Sequence, residues 1–187
     1  MKNEIRKQYI AERNSLSAEK KAEAGKIISE RIFALDSYKK ADTVFIYISM
    51  KNEAPTAEII EKAYADGKKV AVPIALKNHE MYFVPIEKDE ELVKTKFGVM
   101  EPQKDRSAEI IPDENSLFVV PGVAFGMDGH RMGYGGGYYD TYIDKYKIEN
   151  TVAIAFDIQL KDEVPFEEHD KIMKTVITEN RITGGIE

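Results

Sequence analysis

Residues 131–140 read RMGYGGGYYD, with glycine at 133, 135, 136 and 137, Arg131 just ahead and Tyr138, Tyr139 and Asp140 just behind. Glycines in this density can take positive φ and turn consecutive amides toward one point, which is the geometry of a phosphate-binding nest. Arg131 is placed to make charge-assisted bonds to such an anion. Asp140 falls where a carboxylate could hold a divalent cation or simply complement the N-terminal dipole of a following helix. Tyr134, Tyr138 and Tyr139 offer flat faces to a ring, although one of the adjacent pair also suits a core position. The spacing fits neither familiar phosphate motif. No lysine followed by serine or threonine closes the run as in a Walker loop, and Tyr138 stands where a dinucleotide fingerprint needs its third glycine. A glycine-rich turn serving only tight strand-to-helix packing stays open as an alternative. His130 has no serine or acid beside it in any triad pattern and reads as a loop residue.

The loop needs a frame. Residues 2–13 and 18–35 carry Ile5, Tyr9, Ile27, Ile28, Ile32 and Leu35 at mostly helical spacings, with Ser17 a candidate cap between them. TVFIYIS (43–49) is β-branched and aromatic and reads as a buried strand, followed by a helical pattern from Pro55 to Asp66 that stops at Gly67. KKVAVPI (68–74), HEMYFVPI (79–86), SLFVVPG (116–122) and NTVAIAFD (150–157) read as further strands, and YYDTYIDKY (138–146) as a helix entered from the glycine loop. The charged segment Glu87–Asn115, with Pro102 and Pro112, reads as an irregular surface excursion. Strand and helix alternate as in an α/β fold with a largely parallel sheet, so the glycine loop falls beyond the carboxyl end of a buried strand, where such folds bind ligands.

Composition narrows the classes. The 187 residues are 43 % hydrophobic, enough for one core, and one domain over 1–187 is expected. A net charge of -6, from 33 acidic and 27 basic side chains, disfavours a broad surface for nucleic acid. The absence of cysteine removes disulfides, thiolate zinc sites and a cysteine nucleophile, and fits a reducing cytoplasm. No apolar run is long enough for a membrane span or a signal peptide. A monomer or at most a weak homodimer is expected.

PGVAFGMDGHRMGYGGGYYD (121–140) resembles the signature of the 5-formyltetrahydrofolate cyclo-ligase (5,10-methenyltetrahydrofolate synthetase) family. KNEIR (2–6), ISMKNE (48–53) and VPFEEHD (164–170) resemble further family elements in the same order, so the likeness covers nearly the whole chain as one domain. It implies a three-layer α/β/α sandwich with two N-terminal helices. It also implies ATP- and magnesium-dependent closure of 5-formyltetrahydrofolate to 5,10-methenyltetrahydrofolate through a phosphorylated formyl (imidate) intermediate. Carried over position by position, the ATP contacts fall on Lys2, Arg6, Arg131 and the run Met132, Gly133, Tyr134, Gly135, Gly136, Gly137, Tyr138 and Tyr139. Magnesium falls on Asp140 and Asp170. The folate side falls on Ile48, on Glu53 facing pterin ring nitrogens, and on Tyr134 to Tyr138. Arg131, Glu53 and Tyr138 are the residues expected to act in the reaction.

The chain departs from the family pattern at Thr141, Ile74 and Lys174, where charged residues are usual. Some relatives also carry a basic residue within the glycine loop where this chain has Tyr134 or Gly136, and Lys174 or Arg106 is expected to supply that charge. A nucleotide-binding module without folate turnover, or an isomerase or transferase on a related α/β scaffold, are the competing readings.

Overall fold

The computed structural model describes residues 2–95, 98–168 and 170–184. Two helices open the chain, α1 (Lys2–Asn14) and α2 (Ala18–Ala34), and the Ser17 hydroxyl caps α2 by accepting from the Lys20 amide at 3.3 Å. A short α3 (Asp36–Lys40) leads into β1 (Thr43–Phe45), then α4 (Ala57–Ala65), β2 (Lys69–Ala75) and β3 (Met81–Ile86). The excursion expected to be irregular holds a hairpin, β4 (Leu92–Lys94) and β5 (Met100–Pro102). After β6 (Ser116–Val120) comes a second hairpin, β7 (Ala124–Gly126) and β8 (Arg131–Met132), and then α5 (Tyr138–Tyr146). The chain closes through β9 (Thr151–Ile154), β10 (Leu160–Lys161), β11 (Thr175–Ile177) and β12 (Ile182–Gly184).

The main sheet has seven strands in the order β12-β11-β9-β6-β1-β2-β3. The five inner strands run parallel; β3 and β12 at the edges run antiparallel to β2 and β11. A parallel interior must be covered on both faces, and the burial pattern shows it: all five residues of β6 and all four of β9 are buried. Alternation along β1 sends Val44 into a core with Ile28, Ile32 and Ile59 from α2 and α4. It sends Phe45 the other way, to Phe83, Phe118, Tyr142 and Ile143 beneath α5. Aromatic rings fill that second core, with Phe83 5.1 Å from both Phe118 and Tyr142. The run 43–49 pairs as a ladder only over its first three residues, yet Ile46 and Tyr47 continue buried beyond it.

Connectivity opens the crevice. From β1 the chain moves outward to β2 and β3, then returns to β6 on the other side of β1 and continues to β9 and β11. The segments leaving the carboxyl ends of β1 and β6 therefore part at a topological switch point, where α/β sheets hold their ligands. A smaller sheet, β10-β7-β8, packs with α1: Ile5, Tyr9 and Ile10 lie against Val123, Ala124, Met132 and Val164. This docks α1 beside the glycine loop.

Candidate active site

A cavity of about 550 Å³ lies at the switch point. One wall follows β1 and carries Tyr47, Ile48, Met50 and Glu53; the opposite wall is Arg131 and the run Gly133 to Asp140. Lys2, Asn3 and Arg6 of α1 close one side together with Glu167 and Asp170, while Pro73, Ala75, Met81 and Val99 form an apolar side that also carries the Glu101 carboxyl.

The β7–β8 hairpin explains how Arg131 reaches this place. It folds the chain back so that Arg131, paired with Phe125, returns to the end of β6, where its Nη1 donates to the Pro121 carbonyl at 3.3 Å. The side chain is 4 % exposed, and Nη2 donates to Asp140 Oδ2 at 2.7 Å. The hairpin turn is built by Asp128, whose Oδ1 accepts from the His130 amide at 3.1 Å, and the His130 ring stacks on Phe166 with centroids 3.8 Å apart. His130 thus supports the turn, as a loop residue.

Gly135 has φ 96° and Gly137 φ 64°, and Gly137 is the residue from which α5 starts. A side chain at 133 would meet Arg131 Nη1 at 2.7 Å and one at 136 the Tyr138 ring at 2.6 Å, so the loop runs too close to its neighbours for a Cβ. Arg6 Nε donates to the Gly133 carbonyl at 2.9 Å and the Tyr138 hydroxyl to the Leu76 carbonyl at 3.0 Å, which pin the two ends of the loop. His79, itself at φ 63°, contacts the Gly136 carbonyl through Nδ1.

Across the cavity, Glu53 is 8 % exposed. Its Oε2 accepts from the Met50 amide at 2.8 Å and its Oε1 from the Tyr134 hydroxyl at 2.5 Å. Burial first, and then the charge of Glu53, push the hydroxyls of Tyr47, Tyr134 and Tyr139 well above the usual tyrosine range, so all three stay protonated donors. Lys2 Nζ stands 3.0 Å from both Glu167 Oε1 and Asp170 Oδ2. Burial works against its charge, but the two carboxylates outweigh it and raise the ammonium above its ordinary value. Asp140 Oδ1 accepts from the amide of Lys171, the residue after Asp170, which holds both aspartates on one side of the cavity.

Every expected site residue lines this cavity except Met132, whose side chain is fully buried against Val123, Ala124 and Val164, because alternation along the two-residue β8 turns it away from Arg131. The expected compensating charges are corrected too. Arg106 pairs with Glu80 and Glu109, and Lys174 donates to Asn150; neither lines the cavity. Ile74 packs with Tyr82 and Val84, and Thr141 lies on the exposed side of α5. His169 lies outside the described residues. Sequence reasoning passed over Tyr47, Met81, Val99, Glu101 and Arg13, the last of which donates from Nη1 to the Tyr134 hydroxyl at 2.7 Å. Burial raises the Glu101 carboxyl above its ordinary value.

A mainly parallel α/β sheet whose switch-point cavity has a glycine loop and buried Arg131 on one wall and a buried carboxylate on the other has the layout of an α/β enzyme that holds its ligands beyond the carboxyl ends of the strands. The family model described as the 5-formyltetrahydrofolate cyclo-ligase family matches residues 1–179, and the chain belongs to that family. A probable 5-formyltetrahydrofolate cyclo-ligase of Schizosaccharomyces pombe is 34 % identical, with 85 % of each chain covered. The 5-formyltetrahydrofolate cyclo-ligase of Escherichia coli is 28 % identical over 91 % of this chain and 96 % of its own. The NMR structure of Aquifex aeolicus 5,10-methenyltetrahydrofolate synthetase superposes with a TM-score of 0.84 at 26 % identity, covering 98 % of this chain and 92 % of that one.

Proposed function

We propose that the protein closes 5-formyltetrahydrofolate to 5,10-methenyltetrahydrofolate at the expense of ATP, releasing ADP and phosphate, and that it does so in the cytoplasm, which the cysteine-free composition suits. The observation that carries this reading is the meeting of two unlike walls in one cavity: a glycine loop with Arg131, Arg6 and Lys2 on one side, and on the other the buried carboxylate of Glu53, held by the Met50 amide and the Tyr134 hydroxyl. A triphosphate fits the first. The second fits the donor edge of a pterin, whose ring N–H groups find carboxylate lone pairs between the Met50 amide and the Tyr134 hydroxyl.

The chemistry asks for positioning and charge stabilisation. A formamide oxygen is a poor leaving group, so it takes the γ-phosphoryl of ATP while the bond from that phosphorus to the bridging oxygen of ADP breaks. The nitrogen at position 10 then attacks the imidate carbon, loses its proton, and phosphate departs with the C–O bonding pair. No protein nucleophile is needed. Arg131, held by Asp140 and the Pro121 carbonyl, presents a rigid guanidinium to the phosphoryl oxygens without reorganising. Tyr138, anchored through its hydroxyl to β2's end at Leu76, keeps the start of α5 and its free amides facing the cavity.

Asp140 and Asp170 fit magnesium by donor chemistry, being hard oxygen ligands set on one side of the cavity. The ion they would hold offsets charge on the phosphate oxygens when bound. The nucleotide-binding module without turnover is the competing reading. Purified protein mixed with 5-formyltetrahydrofolate, ATP and magnesium should show the near-ultraviolet absorbance of the methenyl product, and an ATP-free control should not. Glu53→Ala should lose folate binding while nucleotide binding survives, and Asp140→Ala should impair use of ATP and magnesium; full turnover in both variants would overturn the site assignment.

A further inference from the structure

Arg13 sits on the last turn of α1, only 5 % exposed, and makes no ion pair among the described residues. Its Nε is buried without a partner. A guanidinium held that way costs free energy unless some negative charge answers it. The answer lies one residue further on. Arg13 Nη1 donates to the Tyr134 hydroxyl at 2.7 Å, and its guanidinium carbon lies 5.7 Å from the centroid of the Tyr134 ring. The Tyr134 hydroxyl then reaches Glu53 Oε1 at 2.5 Å.

The direction of these bonds follows from the groups themselves. Arginine can only donate, so the Tyr134 oxygen is its acceptor and the single hydroxyl proton is left for Glu53, which can only accept. We propose that Arg13 is a positioning residue that orients the Tyr134 hydroxyl onto Glu53, and that this three-residue relay ties the glycine loop to the opposite wall so that occupation of either half of the cavity favours occupation of the other. Tyr134 is the member common to both halves: it stands between Gly133 and Gly135 in the loop, and its hydroxyl holds the carboxylate. Nucleotide on the loop fixes Tyr134, and with it one oxygen of Glu53. A ligand on Glu53 holds Tyr134, and with it the loop. The coupling is reciprocal by necessity. Arg13 and Arg6 are seven residues apart on α1, two turns along one face, so a single helix grips the loop at the Gly133 carbonyl and at the Tyr134 hydroxyl.

The inference rests on the folate reading of Glu53, and the test separates the two. Affinity for 5-formyltetrahydrofolate is measured by calorimetry with and without magnesium and a non-hydrolysable ATP analogue. The proteins are the parent, Tyr134→Phe, Arg13→Met, Arg13→Lys and the double variant Arg13→Met/Tyr134→Phe, and thermal melts record stability separately. In the parent the nucleotide should tighten folate binding about tenfold. Tyr134→Phe and Arg13→Met should each weaken folate binding about tenfold and remove the nucleotide effect. The double variant should be no weaker than either single one, and Arg13→Lys should regain part of the coupling. Additive losses in the double variant, or a nucleotide effect that survives Tyr134→Phe, would overturn the relay. If Arg13→Met does not fold, Tyr134→Phe alone decides by the same criterion, since it deletes one oxygen from a side chain already 42 % exposed. A parent that binds no folate overturns the functional reading and the relay with it, whereas a parent that binds folate beside additive variants overturns the relay alone.

Discussion

Replacing Asp140 with asparagine tests whether the buried ion pair at the heart of the phosphate wall is held together by charge. The side chains of Arg131 and Asp140 are 4 % and 14 % exposed, with Nη2 and Oδ2 2.7 Å apart. Asparagine keeps the shape but not the acceptors. One carboxylate oxygen accepts from Arg131 and the other from the Lys171 amide at 3.0 Å, so whichever way the new amide is turned its NH2 faces a donor. Turned to serve Lys171, it leaves Arg131 buried with only the Pro121 carbonyl at 3.3 Å, since its Nε already has no partner; turned to serve Arg131, it leaves the Lys171 amide unanswered, and either way the guanidinium loses its opposite charge. Removing one member of a buried pair costs about 3–5 kcal/mol, and the partial exposure of Asp140 puts this case near the lower end, about 3 kcal/mol. At about 2–4 °C per kcal/mol for a domain of this size, the ligand-free protein should melt about 6–12 °C lower. Circular dichroism without nucleotide or magnesium isolates this term from ligand binding. Adding Arg131→Met should recover most of the loss, because the resulting Met–Asn pair, of similar volume, bears no uncompensated buried charge. A single variant melting within about 2 °C of the parent would refute the reasoning, as would a double variant no more stable than the single.

Two further perturbations probe the walls. A Cβ at Gly25 of α2 would drive into the Pro55 ring, two residues from Glu53, so Gly25→Ala should cost about 1–3 kcal/mol in chemical denaturation and weaken folate binding more than nucleotide binding; equal loss of both would contradict a local push on that wall. Burial raises the Glu101 carboxyl, so the folded chain holds that proton more tightly than the unfolded one and stability falls as pH rises from the ordinary glutamate value through the raised one. Glu101→Gln should therefore melt above the parent at neutral pH, with the gap closing as pH falls through the raised value toward about 4. A gap that instead widens toward acid would reverse the assigned sign.

What the sequence disclosed and what it withheld divide along one physical line. Short apolar runs at β1, β6 and β9 announced a buried parallel sheet, because a strand covered on both faces is apolar at every position. The glycine run was legible for the same reason: φ 96° at 135 and the missing room at 133 and 136 are demands that glycine meets. The β7–β8 hairpin was not, since strands of three and two residues carry no period, and β7 is completed by β10, from residues 160 and 161. Nor was Glu101, which looks like one more charge in an acidic surface segment until β5 lies along the cavity. Arg13 is the sharpest instance. On α1 it ends a helix in which charges recur every few residues, and a basic residue in the last turn already has a sufficient local reason in the helix dipole. Its burial is decided by Tyr134, 121 residues away, and its meaning by Glu53 beyond that. Groups that face a ligand must have a particular chemistry and so leave a motif. Groups that hold those groups need only a donor in the right place, which many sequences could supply, and they become visible once the fold has brought the partners together.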